Sequence, residues 1–229
     1  MRRKIKILTY QELISIPVGE NNEPLVDVRT YDSSITTQYT KQEKIEMFPF
    51  TGNTIFVRDS VAKKLAKANK NLSKYGNFKL KVVSGYRHPK VQKKYFEKKY
   101  NQLKILYPHL SVEELKNLTH NFIAVPEVAG HPTGGAVDVT IVDENGKELD
   151  MGTKIGDFSD PEKIKTFAKG ISKEQLKNRL FLHDIMVNEG FAPFYGEWWH
   201  FSYGDREWAY FYGKKQSLYS PIEFKAKNY

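Results

Sequence analysis

Cysteine is absent from this 229-residue sequence. Its absence excludes a disulfide-stapled scaffold, every thiolate metal site and a thiol nucleophile, and leaves His, Asp and Glu as the strong metal ligands. Also missing is any run of about 18 apolar residues, the length a membrane-spanning helix needs. The basic start through Lys6 is followed only by Ile7 and Leu8 before polar residues return, too short an apolar stretch for an export signal. The expectation is a cytoplasmic protein without a membrane partner. Internal repeats, low-complexity tracts and linkers are lacking too, so a single domain over residues 1–229 is expected.

What is present suits a globular core: 40% of residues are hydrophobic and 28% charged. At this size folding buries roughly 70% of the surface of the unfolded chain, enough without a disulfide or structural metal. The balance of 36 Lys and Arg against 27 Asp and Glu gives a net charge of +9. Nucleic acid is not the expected partner, because no zinc-finger or RNP-type signature accompanies the charge. The lysines fall instead at Lys63, Lys64, Lys67, Lys70 and Lys74, and again at Lys90, Lys93, Lys94, Lys98, Lys99 and Lys104. Both groups lie in segments of helical period and read as solvated helix faces.

Asp59-Ser60 followed by Val61, Leu65, Ala68 and Leu72 predicts a capped amphipathic helix ended by Gly76. Phe78, Leu80 and Val82 then alternate with lysines, predicting a half-buried strand that ends at Ser84-Gly85-Tyr86-Arg87. A second helix starts at Pro89, with Val91, Tyr95, Phe96, Tyr100 and Leu103 as its buried side. Ser111 with Glu114, and Ser172 with Gln175, form capping boxes for two more. Between them a Gly- and Pro-rich loop feeds the β-branched run Ala136–Val142, in which Val137, Val139 and Ile141 share one face and Asp138, Thr140 and Val142 the other. Strand propensity returns at Trp198–Ser202. Strands and helices without regular alternation predict an α+β fold, a central mostly antiparallel sheet flanked by helices.

Three places put reactive residues where the pattern predicts core: Arg87, the stretch from His131 to Asp138, and the stretch from Glu197 to His200. His131, Asp138 and His200 make a two-His, one-carboxylate set suited to one catalytic Zn²⁺ per chain, with a position left for water. Glu197 is the candidate proton shuttle and Arg87 the candidate oxyanion partner, which together read as amide hydrolysis. For Glu197 to join His200 it must lie just before the strand or on a bulge at Gly196, with Trp198 and Trp199 as wall and core. Taken singly, each feature has a plainer reading: a hydrogen-bonded His–Asp pair, or a surface ion pair at Arg87. His88, His109, His120 and His183 have no partner pattern and read as surface or helix histidines.

Ser84-Gly85-Tyr86-Arg87-His88-Pro89, Gly130-His131-Pro132-Thr133-Gly134-Gly135-Ala136-Val137-Asp138-Val139-Thr140 and Gly196-Glu197-Trp198-Trp199-His200 occur in this order. In these motifs the sequence resembles the VanX-type D-alanyl-D-alanine dipeptidases, zinc enzymes of the hedgehog/DD-peptidase fold group, over about residues 26–212. The resemblance implies zinc on His131, Asp138 and His200, base catalysis by Glu197, transition-state stabilisation by Arg87, and a small closed pocket that hydrolyses free D-Ala-D-Ala. It also implies substrate contacts from Asp157, matched only with one inserted residue, and from Tyr31. Ala129 stands where the family usually carries Ser. Two alternatives remain at this point: a related zinc peptidase acting on muropeptide or L,D substrates, and a zinc-containing binding protein without activity. Oligomeric state is not legible.

Overall fold

A computed structural model describes residues 6–226 of the chain. A short helix α1 (Tyr10–Ile14) leads into strands β1 (Leu25–Asp27) and β2 (Thr36–Thr37), helix α2 (Lys41–Thr51), and strand β3 (Phe56–Arg58). Helix α3 (Asp59–Leu72) and strand β4 (Lys79–Ser84) follow, then helices α4 (Pro89–Leu106) and α5 (Val112–His120). Strand β5 (Ala136–Val142), helix α6 (Lys173–Asn188), strands β6 (Ala192–Pro193) and β7 (His200–Ser202) and helix α7 (Arg206–Phe211) complete the order.

The main sheet runs β2-β4-β5-β7-β6; β2 pairs parallel with β4 and the other pairings are antiparallel, while β1 and β3 form a separate two-stranded ribbon. This is the expected α+β architecture. Every residue of β5 is buried, as its unbroken apolar and β-branched run requires of a central strand. Val137, Val139 and Ile141 join Leu65 and Leu72 of α3 and Leu182 and Met186 of α6 in the main core. Each such side chain removed from water contributes about 1.5–3 kcal/mol, which fixes the register of the strand that carries Asp138.

Both capping boxes form, at Ser111 with Glu114 and at Ser172 with Gln175. At the start of α3 the expectation fails, because Arg58 is the N-cap residue and no side chain caps the turn. Asp59 instead pairs with Lys63 at 2.7 Å and accepts a hydrogen bond from Tyr31, and an acidic group in the first turn still favours the helix dipole. Pro89 opens α4 as expected; Val91 and Leu103 are buried, whereas Tyr95, Phe96 and Tyr100 are half-buried at its edges. The last strand is shorter than its propensity, since Trp198 and Trp199 belong to the turn before β7. Both indoles are core: Trp198 donates to Thr153 Oγ1 at 2.8 Å, and Trp199 packs edge-on against Phe158. Among the described residues no helix is long and apolar enough to cross a membrane.

Candidate active site

The site is assembled across three neighbouring strands. Asp138 lies opposite His200 in the β5–β7 ladder and opposite Ser84 in the β4–β5 ladder, so the sheet itself sets carboxylate and imidazole side by side. His131 arrives from a 3₁₀ turn (His131–Thr133) that Gly134 closes in the left-handed region, at φ 73°. A side chain at Gly130, just ahead of that turn, would put its Cβ 2.2 Å from Asp205 Oδ2. The chain past β4 holds the turn from the other side. Gly85 O accepts from His131 Nδ1 at 2.8 Å, and the Arg87 amide donates to His131 O at 3.2 Å.

A carbonyl can only accept, so His131 Nδ1 carries the proton and Nε2 offers its lone pair to the site. Asp138 Oδ1 lies 3.4 Å from His131 Nε2 and 3.0 Å from His200 Nδ1. One ligand atom from each of the three residues falls within 4.8 Å of the others, two imidazoles and a carboxylate around one point. That donor set fits a divalent transition metal.

Arg87 is buried beside this cluster, its Nη2 4.0 Å from Asp138 Oδ2. Glu43 Oε1 accepts from Arg87 Nε at 3.0 Å and from Ser84 Oγ at 2.6 Å, and Gln92 Oε1 accepts from Arg87 Nη1 at 3.0 Å. The guanidinium is thus locked from behind and keeps donors for a ligand in front. Glu197 stands in the turn ahead of β7, one of the two positions expected for it: its amide donates to Phe194 O at 3.1 Å, and its carbonyl accepts from the His200 amide at 3.2 Å. Its side chain faces the same cleft as Arg87 and the three candidate ligands.

Burial works against the charged form of every group here, and neighbouring charges decide the outcome. Asp138 resists it: His131 and His200 draw its carboxyl well below the usual range. Burial would also lower His200, yet the Asp138 hydrogen bond and the charges of Glu207 and Glu197 lift it to about 9. His131 is lowered by burial and by Arg87. Glu197 is pushed up to about 8, mainly by burial. Such a carboxyl exchanges protons readily near neutrality.

Two expected substrate residues lie elsewhere. The Asp157 carboxylate accepts from the Ser159 amide at 3.1 Å and is exposed, although its neighbours Gly156 and Phe158 reach the cleft. Phe158 is anchored on Trp199, which turns Asp157 outward. Tyr31 is 47% exposed, donates to Asp59 Oδ1 at 2.6 Å, and borders a separate surface hollow with Asp32 and Lys67. Sequence reasoning overlooked Glu43 and Glu207. Glu207 lines the cleft with Oε2 3.9 Å from His200 Nε2, and burial pushes it up to about 7. Of the histidines left aside, His88 stacks on Phe50 at 3.8 Å and His120 is buried at the end of α5. The cleft has a volume of about 550 Å³.

Residues 24–218 match the model of the family described as D-ala-D-ala dipeptidase, a peptidase family. The chain belongs to that family. Within it, the chain is 30% identical over 132 residues to the D-alanyl-D-alanine dipeptidase of Synechocystis sp. (strain ATCC 27184 / PCC 6803 / Kazusa), covering 50% of this chain and 53% of the relative. To the Escherichia coli (strain K12) D-alanyl-D-alanine dipeptidase it is 36% identical over 73 residues, covering 32% of this chain and 37% of the relative. The matched stretch thus spans about half the length of the longer-matching relative and less of the other. Among solved structures, the LdcB LD-carboxypeptidase superposes over 81% of this chain and 71% of its own, with 20% identity and a TM-score of 0.45.

Proposed function

We propose that this family member is a zinc-dependent hydrolase that cleaves D-Ala-D-Ala to free D-alanine. The observation that carries the reading is the convergence of His131 Nε2, Asp138 and His200 Nδ1 on one point beside Arg87 and Glu197. Zinc held by His131, Asp138 and His200 would supply Lewis-acid activation of water and polarisation of the peptide carbonyl.

This chain's own residues do the rest. Glu197 takes a proton from the attacking water and passes it to the departing amine, a task suited to a carboxyl whose affinity lies near neutrality. Arg87, fixed by Glu43 and Gln92, presents its remaining N–H groups where negative charge grows on the carbonyl oxygen. Burial of Arg87 and Asp138 strengthens both effects by excluding water.

Release of D-alanine from the dipeptide should stop with a chelator and return when zinc is restored. Full activity in metal-free protein would sink the reading. Glu197→Gln should lower the rate at least ~10²-fold while zinc content stays at that of the parent protein. A variant that hydrolyses the dipeptide normally would remove Glu197 from the chemistry. The buried Arg87 and the cleft-facing Glu197 favour a peptidase over a binding protein, which has no use for either.

A further inference from the structure

Four carboxylates line the cleft. Asp138 belongs to the candidate ligand set, Glu197 is the proposed proton carrier and Glu43 locks Arg87 from behind. Glu207 has no part in any of these. Its Oε2 lies 3.9 Å from His200 Nε2, and among the described residues no other carboxylate stands within ion-pair distance of that nitrogen.

The chain builds this position from both sides. Strand β7 ends at Ser202, whose Oγ donates to Asp205 Oδ1 at 2.8 Å, and the same oxygen accepts from the Trp208 amide at 2.8 Å. Asp205 thus caps α7 and ties its first turn to the strand that carries His200. Trp208 is buried and donates through Nε1 to Gly190 O at 3.2 Å, while Arg206 Nη1 donates to Leu13 O at 3.0 Å. Glu207, between these two anchored residues, is left to face the cleft.

The two imidazoles of the ligand set differ in what stands behind them. His131 is held through Nδ1 by a neutral group, the Gly85 carbonyl at 2.8 Å. His200 turns Nδ1 toward Asp138, at 3.0 Å, so a metal ion held by the three residues takes the lone pair of that nitrogen and the ring proton stays on Nε2. An N–H on a largely buried ring needs an acceptor, and Glu207 is the group in place. A carboxylate behind a ligating imidazole fixes its tautomer and orientation and makes the metal-facing nitrogen more basic.

We propose that Glu207 is a positioning residue for the metal centre: it accepts the Nε2 proton of His200 and so holds Nδ1 toward the ion. The separation of 3.9 Å is longer than a hydrogen bond, and a small rotation of the Glu207 side chain, which borders the open cleft, closes it. The proposal rests on the metal-binding part of the reading above and is independent of which peptide is cleaved.

The test reads zinc affinity rather than turnover. Competition with a chromogenic chelator compares the parent protein with Glu207→Gln and Glu207→Leu. The Leu variant should bind zinc about 10- to 100-fold more weakly, and the Gln variant, whose amide oxygen still accepts the proton without the charge, should fall between the two. Proton NMR of the cobalt-substituted protein supplies a signature that loosened packing alone would not produce. The exchangeable N–H signals of His131 Nδ1 and His200 Nε2 should both appear far downfield in the parent, and Glu207→Gln should shift the second while leaving the first in place. This measurement decides the matter even if Glu207→Leu fails to fold. Equal zinc affinity in the parent and Gln variant together with an unchanged cobalt spectrum would overturn the proposal. Zinc binding that weakens as expected, in a parent that releases no D-alanine from the dipeptide, would keep Glu207 in its role and overturn the hydrolysis; a parent that binds no zinc would overturn both.

Discussion

Glu43 lies one hydrogen bond behind Arg87, the arginine that lines the cleft, and its carboxylate also takes the Ser84 hydroxyl at 2.6 Å. Glu43→Gln keeps the shape but removes the charge that aims the guanidinium, so kcat should fall about tenfold with KM little changed, in line with an interaction that matters chiefly in the transition state. Steady-state kinetics beside an unchanged circular dichroism spectrum would check it; a rise in KM alone would make Glu43 a ground-state binding group. The convergence of Arg87, His131, Asp138, Glu197 and His200 was legible because Asp138 and His200 are polar groups on otherwise apolar strands, and because all five sit in motifs that resemble those of a known family. Glu43 was not, since its partner lies 44 residues away and nothing local marks a carboxylate that will be buried. Glu207 was hidden by position: it reads as an ordinary acidic residue in the first turn of α7.

At the scale of elements, α3, α4, β4 and β5 followed from their periods and both boxed helices from their caps, whereas the expected cap of α3 did not form and α2 escaped. Its buried face is Glu43, Met47 and Thr51, spaced four apart but too polar to read as a core stripe, and Pro49 interrupts its last turn. The spacing was the available signal. Helix α5 ends on His120, whose ring is 8% exposed and accepts from the Val125 amide through Nδ1 at 3.2 Å. Burial lowers this imidazole from 6.5 to about 4. Between those values the unfolded chain binds the proton and the folded one does not. Stability is therefore full above pH 6.5 and declines as pH falls toward 4, by about 3 kcal/mol. Urea midpoints at neutral and mildly acidic pH should show a flatter dependence in His120→Gln than in the parent; an identical slope would take His120 out of the acid response.

Over the whole molecule, distant segments meet on one side chain. Arg58 is 2% exposed and donates to Thr133 O at 2.7 Å, Glu23 O at 2.6 Å, and Glu20 Oε2 at 2.8 Å. It thereby ties the strand before α3, the segment ahead of β1 and the turn that presents His131, and it reaches Ser220 O at 3.3 Å. Arg58→Met would take the charge partner from Glu20, which keeps its bonds from Asn22 and Ser220, and would leave the buried Thr133 and Glu23 carbonyls without their donor, at a cost of about 3 kcal/mol that thermal melting should register. Zinc affinity should weaken with it, because the His131 turn loses its support; a variant that melts like the parent would show the tie to be dispensable. Such convergence was invisible in the sequence, where nothing local marks Arg58.

The cross-strand pairing of Asp138 with His200 has a consequence for folding. Sliding β7 by a single residue along β5 would turn His200 to the opposite side of the sheet and bring Trp199 or Phe201 against Asp138. The candidate ligand set therefore exists in one alignment alone. If the proposed metal binds these three residues, its uptake by refolded protein would count correctly threaded chains, and the ion would act as a proofreader of strand alignment.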